Sequence, residues 1–425
     1  MHKIPNLKTA LNVPLLELEK ICLQHQHEIE HWFRSKWHTN KPPFYGSVDL
    51  RNSSYKLTPV DMNLFPGGFN NINPDFIPLA VQAVNNLIER YCPNATKVLL
   101  IPENHTRNLA YLKNVYTLNF ILEQAGIKTV IGSLSEEITE ATTINVTDEL
   151  TMTYYPLIRE NNRIKTTNGF DACTILLNND LSNGKPAILE NIEQILLPPL
   201  NAGWYMRKKT NYFTQYDIVC DEFANVINID PWLINAYFDI ATDLDFANNQ
   251  GIEILAQKVD TIINKIKSKY AENNITDTPY VVVKANNGTY GMGIMTVKSG
   301  DEILKINRKS KNKMAVIKDG QTVHDVIIQE GVYTFEKINN QVSEPVIYMM
   351  DSAVIGGFYR VHPKKDVNEN LNAMGAHFIP LTYACEALPG KTKHPECCAP
   401  NRFYTYSVIA RLALLASSYE IKTYL

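Results

Sequence analysis

The segment Tyr280-Val281-Val282-Val283-Lys284-Ala285-Asn286-Asn287-Gly288-Thr289-Tyr290-Gly291-Met292-Gly293-Ile294-Met295-Thr296-Val297 joins two apolar runs through a loop with three glycines. The first run is β-branched and reads as a strand that delivers Lys284 to the loop. Glycines at 288, 291 and 293 let backbone N–H groups come close to phosphate oxygens, and the lysine adds a point charge to the same anion. No Gly-Lys-Ser/Thr follows, so this is not a P-loop. The loop opens into a strand and not a helix, so it is not a dinucleotide fingerprint either. Taken alone, the segment also reads as a plain Gly-rich hairpin turn.

Working outward, the chain has 425 residues, enough for two or three domains with a sizeable core. Apolar spacing predicts a long amphipathic helix over 14–37, then strand-like runs at 44–50 and 56–62 that form a hairpin running into Pro66-Gly67-Gly68. From 75 to 200 helices alternate with short strands: helices near 77–91 and 107–125, strands at 97–101, 129–131 and 172–177. That alternation predicts an α/β layer with a mainly parallel sheet, and Ala125-Gly126 fits a helix C-cap. Residues 210–275 read as helical, with Pro231 opening one helix and another over 252–269. After Pro279 the pattern is strands and Gly/Asn turns, closed by a helix over 404–419. The fold class is therefore α/β with α+β.

The charge balance of 41 Lys+Arg against 44 Asp+Glu leaves no basic field for nucleic acid or an anionic membrane, so an anionic ligand must be met by a local site. No apolar stretch approaches 18 residues and the N-terminus lacks a signal-peptide core, which predicts a cytoplasmic protein. Seven scattered cysteines suit reduced thiols better than a disulfide framework.

The strand, lysine and glycine-rich lid resemble the ATP-grasp superfamily, and other segments follow its pattern. Val326-Ile327-Ile328-Gln329-Glu330-Gly331-Val332 resembles the strand that lies along adenine and ribose, with Glu330 offering a carboxylate to the sugar and Gln329 and Val332 beside the base. The run from Pro345 to Tyr348 and on to Gly356-Gly357-Phe358-Tyr359-Arg360 resembles the strand pair that ends in an arginine aimed at the transferred phosphoryl group. Asn368 to Gly375 resembles the substrate-contacting Asn turn, which implicates Asn370 and Asn372. Arg207-Lys208-Lys209 resembles the element that supplies a second lysine, Lys209. A solvated charge run is the alternative there.

The family usually carries its Mg²⁺ carboxylates after these segments, whereas here one helix follows and the sequence stops. The missing piece is expected at the start, in Val48-Asp49-Leu50 and Val60-Asp61-Met62-Asn63. Asp49, Asp61 and Asn63 offer the hard oxygen ligands Mg²⁺ prefers. This implies a circular permutation like that of the eukaryotic glutathione synthetases. The expected organisation is 1–75 (N-terminal helix and metal-carrying strands), 76–205 (inserted α/β substrate domain), 206–279 (helical segment) and 280–425 (nucleotide-binding region). The alternative is that Asp49 and Asp61 merely end strands.

Three further peptides narrow the resemblance: Tyr55 to Asn71, Ile101-Pro102-Glu103-Asn104-His105-Thr106-Arg107-Asn108, and Leu176-Leu177-Asn178-Asn179-Asp180. Together they are similar to the proteobacterial ATP-grasp type of glutamate–cysteine ligase over essentially the whole chain. That family implies ATP and Mg²⁺ as cofactors, glutamate and cysteine as substrates, and an acyl phosphate made from the γ-carboxylate of glutamate. Lys284 and Arg360 would stabilise the phosphoryl transfer. Arg51 or Arg107 would pair the α-carboxylate of glutamate, and Glu103 or Asp180 the α-ammonium. A homo-oligomer is left open. The rivals are a glutathione synthetase or other amino-acid ligase, a non-catalytic nucleotide-binding protein, and a zinc peptidase. The last rests on His27-Glu28-Ile29-Glu30-His31, a zinc-protease pattern that also reads as a solvated helix face. Cys385, His394, Cys397 and Cys398 could bind a soft metal, but with a spacing foreign to zinc ribbons.

Overall fold

The computed structural model describes residues 7–8, 14–287, 293–315, 322–381 and 403–424. Its described strands form three sheets. The first is antiparallel and draws on both ends of the sequence. Leu57–Asn63 pairs with Tyr45–Asn52, which pairs with Gln341–Met350, then Ala353–His362 and His377–Pro380; Leu7–Lys8 and Lys337–Ile338 extend one edge. Continuous apolar alternation lets one face of this sheet bury Val48, Leu50, Met62, Ile347, Met349, Tyr359 and Val361 in a core shared with the helix Phe403–Lys422. That helix is apolar nearly all round, as a helix enclosed by protein must be.

The second sheet has the order Ile195–Leu197, Thr174–Asn178, Lys97–Pro102, Lys128–Ser133, Thr151–Glu160, Thr142–Asn145. Its first four pairings are parallel and those at the far edge antiparallel. The mainly parallel layer read from the sequence is therefore present, with helices Ile77–Tyr91 and Leu109–Gln124 as expected. Gly126, at φ +79°, ends the second of these helices. Helix Ile77–Tyr91 packs between this layer and the antiparallel sheet, where Val84 and Leu87 join Leu100, Val346 and Tyr348 in a second core.

The third sheet is antiparallel, in the order Phe238–Ala241, Val326–Glu330, Val281–Ala285, Ile294–Val297. Helix Ile252–Glu272 covers one face, its Leu255, Val259, Ile262 and Ile266 spaced three or four apart against Val281, Val283 and Ile328. The other face carries Val282, Lys284, Thr296 and Gln329.

Local reading fails in four places. After Pro279 the chain is not strands and turns alone, since Gly300–Leu304 and Arg308–Ala315 are helices. The first helix breaks at His25 into Leu15–Gln24 and Gln26–Thr39, and the bend keeps Leu15, Leu18, Ile29 and Phe33 on one core. The stretch 210–275 is not wholly helical. Pro231–Leu233 is a single tight turn, and Phe238–Ala241 is a strand held by pairing with Val326–Glu330, a partner about 90 residues away that local periodicity cannot reveal. Between 140 and 166 the strands Thr142–Asn145, Thr151–Glu160 and Arg163–Thr166 escape local reading, because they are half-exposed strands of mixed polarity at the far side of the sheet.

Candidate active site

The uncovered face of the third sheet and the facing surface of the first enclose a cleft of about 500 Å³, which reaches the ends of the parallel strands. Pairing register decides which side chains enter it. Val282 lies opposite both Thr296 and Gln329, and Lys284 opposite Ile294, so these share the cleft face. On the other wall Asp61 lies opposite Asp49, Asp49 opposite Val346, and Glu344 opposite Arg360.

Most residues singled out in the sequence meet here: Asp49, Arg51, Asp61, Asn63, Glu103, Asp180, Lys209, Lys284, Gln329, Glu330, Val332, Arg360, Asn370 and Asn372 all line the cleft. Arg107 does not; it is exposed, just before the helix Leu109–Gln124. Gly293 is off the cleft lining and closes the hairpin, at φ +61° and with its carbonyl accepting from the Ala285 N–H at 3.1 Å. Gly288 and Gly291 lie outside the described residues, as do Cys385, His394, Cys397 and Cys398. His27 and His31 stand exposed on the solvent face of their helix, and no group of three or more potential metal ligands among His, Cys, Asp and Glu gathers among the described residues.

Two carboxylates directly opposite on paired strands repel and destabilise a sheet unless cations answer them. Here they are answered. Arg360 Nη1 donates to Asp49 Oδ2 at 2.7 Å and to Glu344 Oε1 at 2.7 Å, while Lys209 Nζ donates to Asp61 Oδ1 at 3.0 Å. Burial raises the Asp49 carboxyl despite Arg360. For Asp61 burial works in the same direction, but Lys209 and Lys284 outweigh it and hold the carboxyl below its usual range. Its side chain remains 46% exposed to the cleft. Asn63 Oδ1 beside them is buried without a hydrogen-bond partner.

The strand Leu57–Asn63 bulges between the pairs Asp49–Asp61 and Leu50–Pro59, so Val60 is the extra residue and its carbonyl is free of the ladder. Lys284 Nζ donates to that carbonyl at 2.8 Å across the cleft. Burial lowers the Lys284 ammonium to about 8, with Asp61 opposing the shift. Lys209 begins the helix Lys209–Ile227, and its place is set by Asn286 at the end of the Lys284 strand. The Lys209 N–H donates to the Asn286 carbonyl at 2.8 Å, and the Thr210 N–H to Asn286 Oδ1 at 2.9 Å. The two lysines are thus held by one joint.

Two expected ligands have their charged groups engaged elsewhere. Arg51 Nε donates to Glu344 Oε2 at 3.0 Å, its Nη1 to the Val332 carbonyl at 3.2 Å, and its Nη2 to the Glu369 carbonyl. It braces the cleft wall and leaves no free guanidinium edge for a substrate carboxylate. Glu330 accepts from Lys56 Nζ at 2.8 Å, from Trp232 Nε1 at 3.1 Å and from the Tyr237 N–H at 3.0 Å. Both Glu330 and Lys56 side chains are 0% exposed, so the carboxylate cannot also reach a ribose. Gln329 keeps a buried, unpartnered Nε2 facing the cleft.

Sequence reasoning missed Glu344, which joins Arg51 and Arg360 into one network, because an acid inside an apolar strand carried no motif. It also missed the hub at the parallel-strand end. Asn178 Nδ2 donates to the Pro66 carbonyl at 2.9 Å and to Tyr45 Oη at 3.3 Å. Its Oδ1 accepts from Asn114 Nδ2 at 3.0 Å. Asn114 Oδ1 in turn accepts from the Phe69 N–H at 3.0 Å. The hub anchors the loop that places Gly67, Gly68, Asn70 and Asn71 in the cleft, next to Glu103 and Asp180. Glu103 and Asp180 follow the adjacent strands Lys97–Pro102 and Thr174–Asn178, from which the sheet extends in opposite directions. Open α/β sheets bind ligands at such a point.

Against known proteins, residues 19–421 match the family model described as glutamate-cysteine ligase. A solved structure from Methylobacillus flagellatus KT, provisionally named a gamma-glutamylcysteine synthetase, is similar at 53% identity and a TM-score of 0.91, over 100% of both chains. D-alanyl-alanine synthetase A from Vibrio cholerae is similar at 11% identity and a TM-score of 0.35, over 74% of this chain and 79% of its own. A glutathione synthetase-like effector from Globodera pallida stands at 11% and 0.35, over 80% and 75%. These last two are too distant to bear on the chain. No functionally curated protein matches it.

Proposed function

This chain belongs to the glutamate–cysteine ligase family, and from that premise we propose how its residues divide the work. It is an ATP-dependent ligase that joins glutamate to cysteine as γ-glutamylcysteine, the first step of glutathione synthesis. The proposal is a permuted ATP-grasp site, with nucleotide held between the third sheet and the antiparallel sheet. One observation carries it. A single cleft sets Asp49 and Asp61 from the start of the chain against Lys209, Lys284 and Arg360 from its middle and end.

A carboxylate is a poor electrophile, so the γ-carboxylate of glutamate first takes a phosphoryl group from ATP, and the amine of cysteine then displaces phosphate. Both steps gather negative charge on phosphoryl oxygens, where preorganised cations act most strongly. Lys284 and Lys209 are assigned to the ATP phosphates and Arg360 to the transferred group. Asn370 and Asn372 are assigned to the substrate side. Asp49, Asp61 and the unpartnered Asn63 Oδ1 form an all-oxygen donor set that fits Mg²⁺. When bound, the ion would neutralise phosphate charge. The glutamate α-ammonium is assigned to Glu103 and Asp180, and the α-carboxylate to the amides of the 66–71 loop, in place of Arg51 and Arg107. Glu330 is a brace and not a ribose ligand, and adenine recognition falls to Gln329 and the backbone near Val332.

The test is ADP release by the purified chain with Mg²⁺-ATP and amino-acid pairs. Glutamate plus cysteine should give ADP and γ-glutamylcysteine one for one. Turnover only with γ-glutamylcysteine plus glycine would favour a glutathione synthetase instead.

A further inference from the structure

Four cysteines fall among the described residues, and all are free thiols. Cys22 and Cys220 are fully buried, with no thiol neighbour among the described residues, and burial pushes Cys22 up to about 12. The other two are different. Cys92, at the C-terminal end of the helix Ile77–Tyr91, and Cys173, just before the strand Thr174–Asn178, are both half-buried. Their Sγ atoms lie 3.1 Å apart across 81 residues of sequence. This pair lies away from the cleft lining, and the ligation makes no use of it.

We propose that Cys92 and Cys173 are an oxidisable dithiol, a modification site for low-molecular-weight disulfides. The oxidised form of the enzyme's own thiol product belongs to that class. In the first step one cysteine thiolate attacks a sulfur of the reagent R–S–S–R. A cysteine–SR bond forms, the reagent S–S bond breaks, and RS⁻ leaves and takes up a proton. The second cysteine, deprotonated in turn, attacks the first cysteine's sulfur, closes the Cys92–Cys173 bond and expels the second RSH. The pair loses two electrons and two protons, and the reagent becomes two RSH. The thiols already stand within reach, so closure requires little movement. Cys22 and Cys220 are excluded by depth. The bond would tie the end of one helix to the foot of the strand that carries Asn178, closing a long loop and restricting the unfolded chain.

The experiment incubates the native full-length chain with 2-hydroxyethyl disulfide, then quenches in acid, alkylates and maps peptides. The expected result is a Cys92–Cys173 cross-linked peptide, reversed by dithiothreitol, with Cys22 and Cys220 unmodified. It is accompanied by a midpoint of thermal unfolding several degrees higher than in the reduced chain. In Cys173→Ser the cross-link and the thermal gain should vanish, and Cys92 should carry the hydroxyethyl adduct. Both thiols remaining alkylatable in the native chain, or separate adducts on each with no cross-link, would overturn the proposal.

Discussion

Lys284 shows why a residue in the cleft cannot be judged by its type alone. Its ammonium is buried against the Val60 carbonyl and lowered to about 8, so it is charged at neutral pH yet poorly solvated, which suits the phosphate role proposed for it. Lys284→Ala should lower kcat/KM by at least about 100-fold, roughly 3 kcal/mol of transition-state stabilisation, with the chain still folded. The pH dependence follows from the same shift. In the free enzyme the proton leaves as pH rises through about 8, so kcat/KM for ATP should fall on that limb. Lys284→Arg should move the limb to higher pH. Stability runs the other way. Burial also lowers Lys56 to about 8, against an ordinary 10.5 for both lysines, and the unfolded chain therefore binds more protons between those values. The contribution of this pair should make unfolding free energy rise from pH 8 toward 10.5, measurable by urea titration. Asp61→Ala removes one proposed Mg²⁺ ligand and the partner of Lys209. A loss of similar size to that in Lys284→Ala is expected, and near-normal turnover would sink the metal assignment.

At the scale of elements, the cleft depends on joints between strands far apart in sequence. The buried Lys56–Glu330 pair, with Trp232 stacked beneath the ammonium at 4.1 Å, ties the first hairpin to the end of the Val326–Glu330 strand. Removing one partner leaves a buried charge unpaired, so Glu330→Ala should cost about 3–5 kcal/mol of stability in chemical denaturation. A ribose ligand would instead show its loss mainly as a raised KM for ATP. The reading of 280–297 as strand, lysine and turn needed only β-branching and glycine spacing, and the structure has strands Val281–Ala285 and Ile294–Val297 there. The strand Phe238–Ala241 lay beyond such reading, since its half-buried residues acquire a partner only when Val326–Glu330 arrives beside them.

At the scale of the molecule, the helix Phe403–Lys422 fills the core beneath the antiparallel sheet, and the buried Arg207–Glu420 pair fastens it. Arg207 Nη1 also donates to the Met62 carbonyl at 3.2 Å, next to the proposed metal ligands. A chain ending at residue 402 should therefore fail to fold cooperatively, seen as loss of a single calorimetric transition. Arg207→Ala should lower stability by about 3–5 kcal/mol before it touches chemistry.

Residue type and order were enough to place Lys284 at the end of a β-branched strand, Asp49 and Asp61 on a hairpin near the start of the chain, and a mainly parallel layer between them in sequence. Those properties depend on residue type and short spacing. Which charges remain available emerges from packing alone. Arg51 is consumed by Glu344, 293 residues away, Glu330 by Lys56, 274 residues away, and Arg107 is left outside the cleft. Burial and pairing are properties of the packed state, because a charge withdrawn from water must be answered by whatever group the fold places beside it.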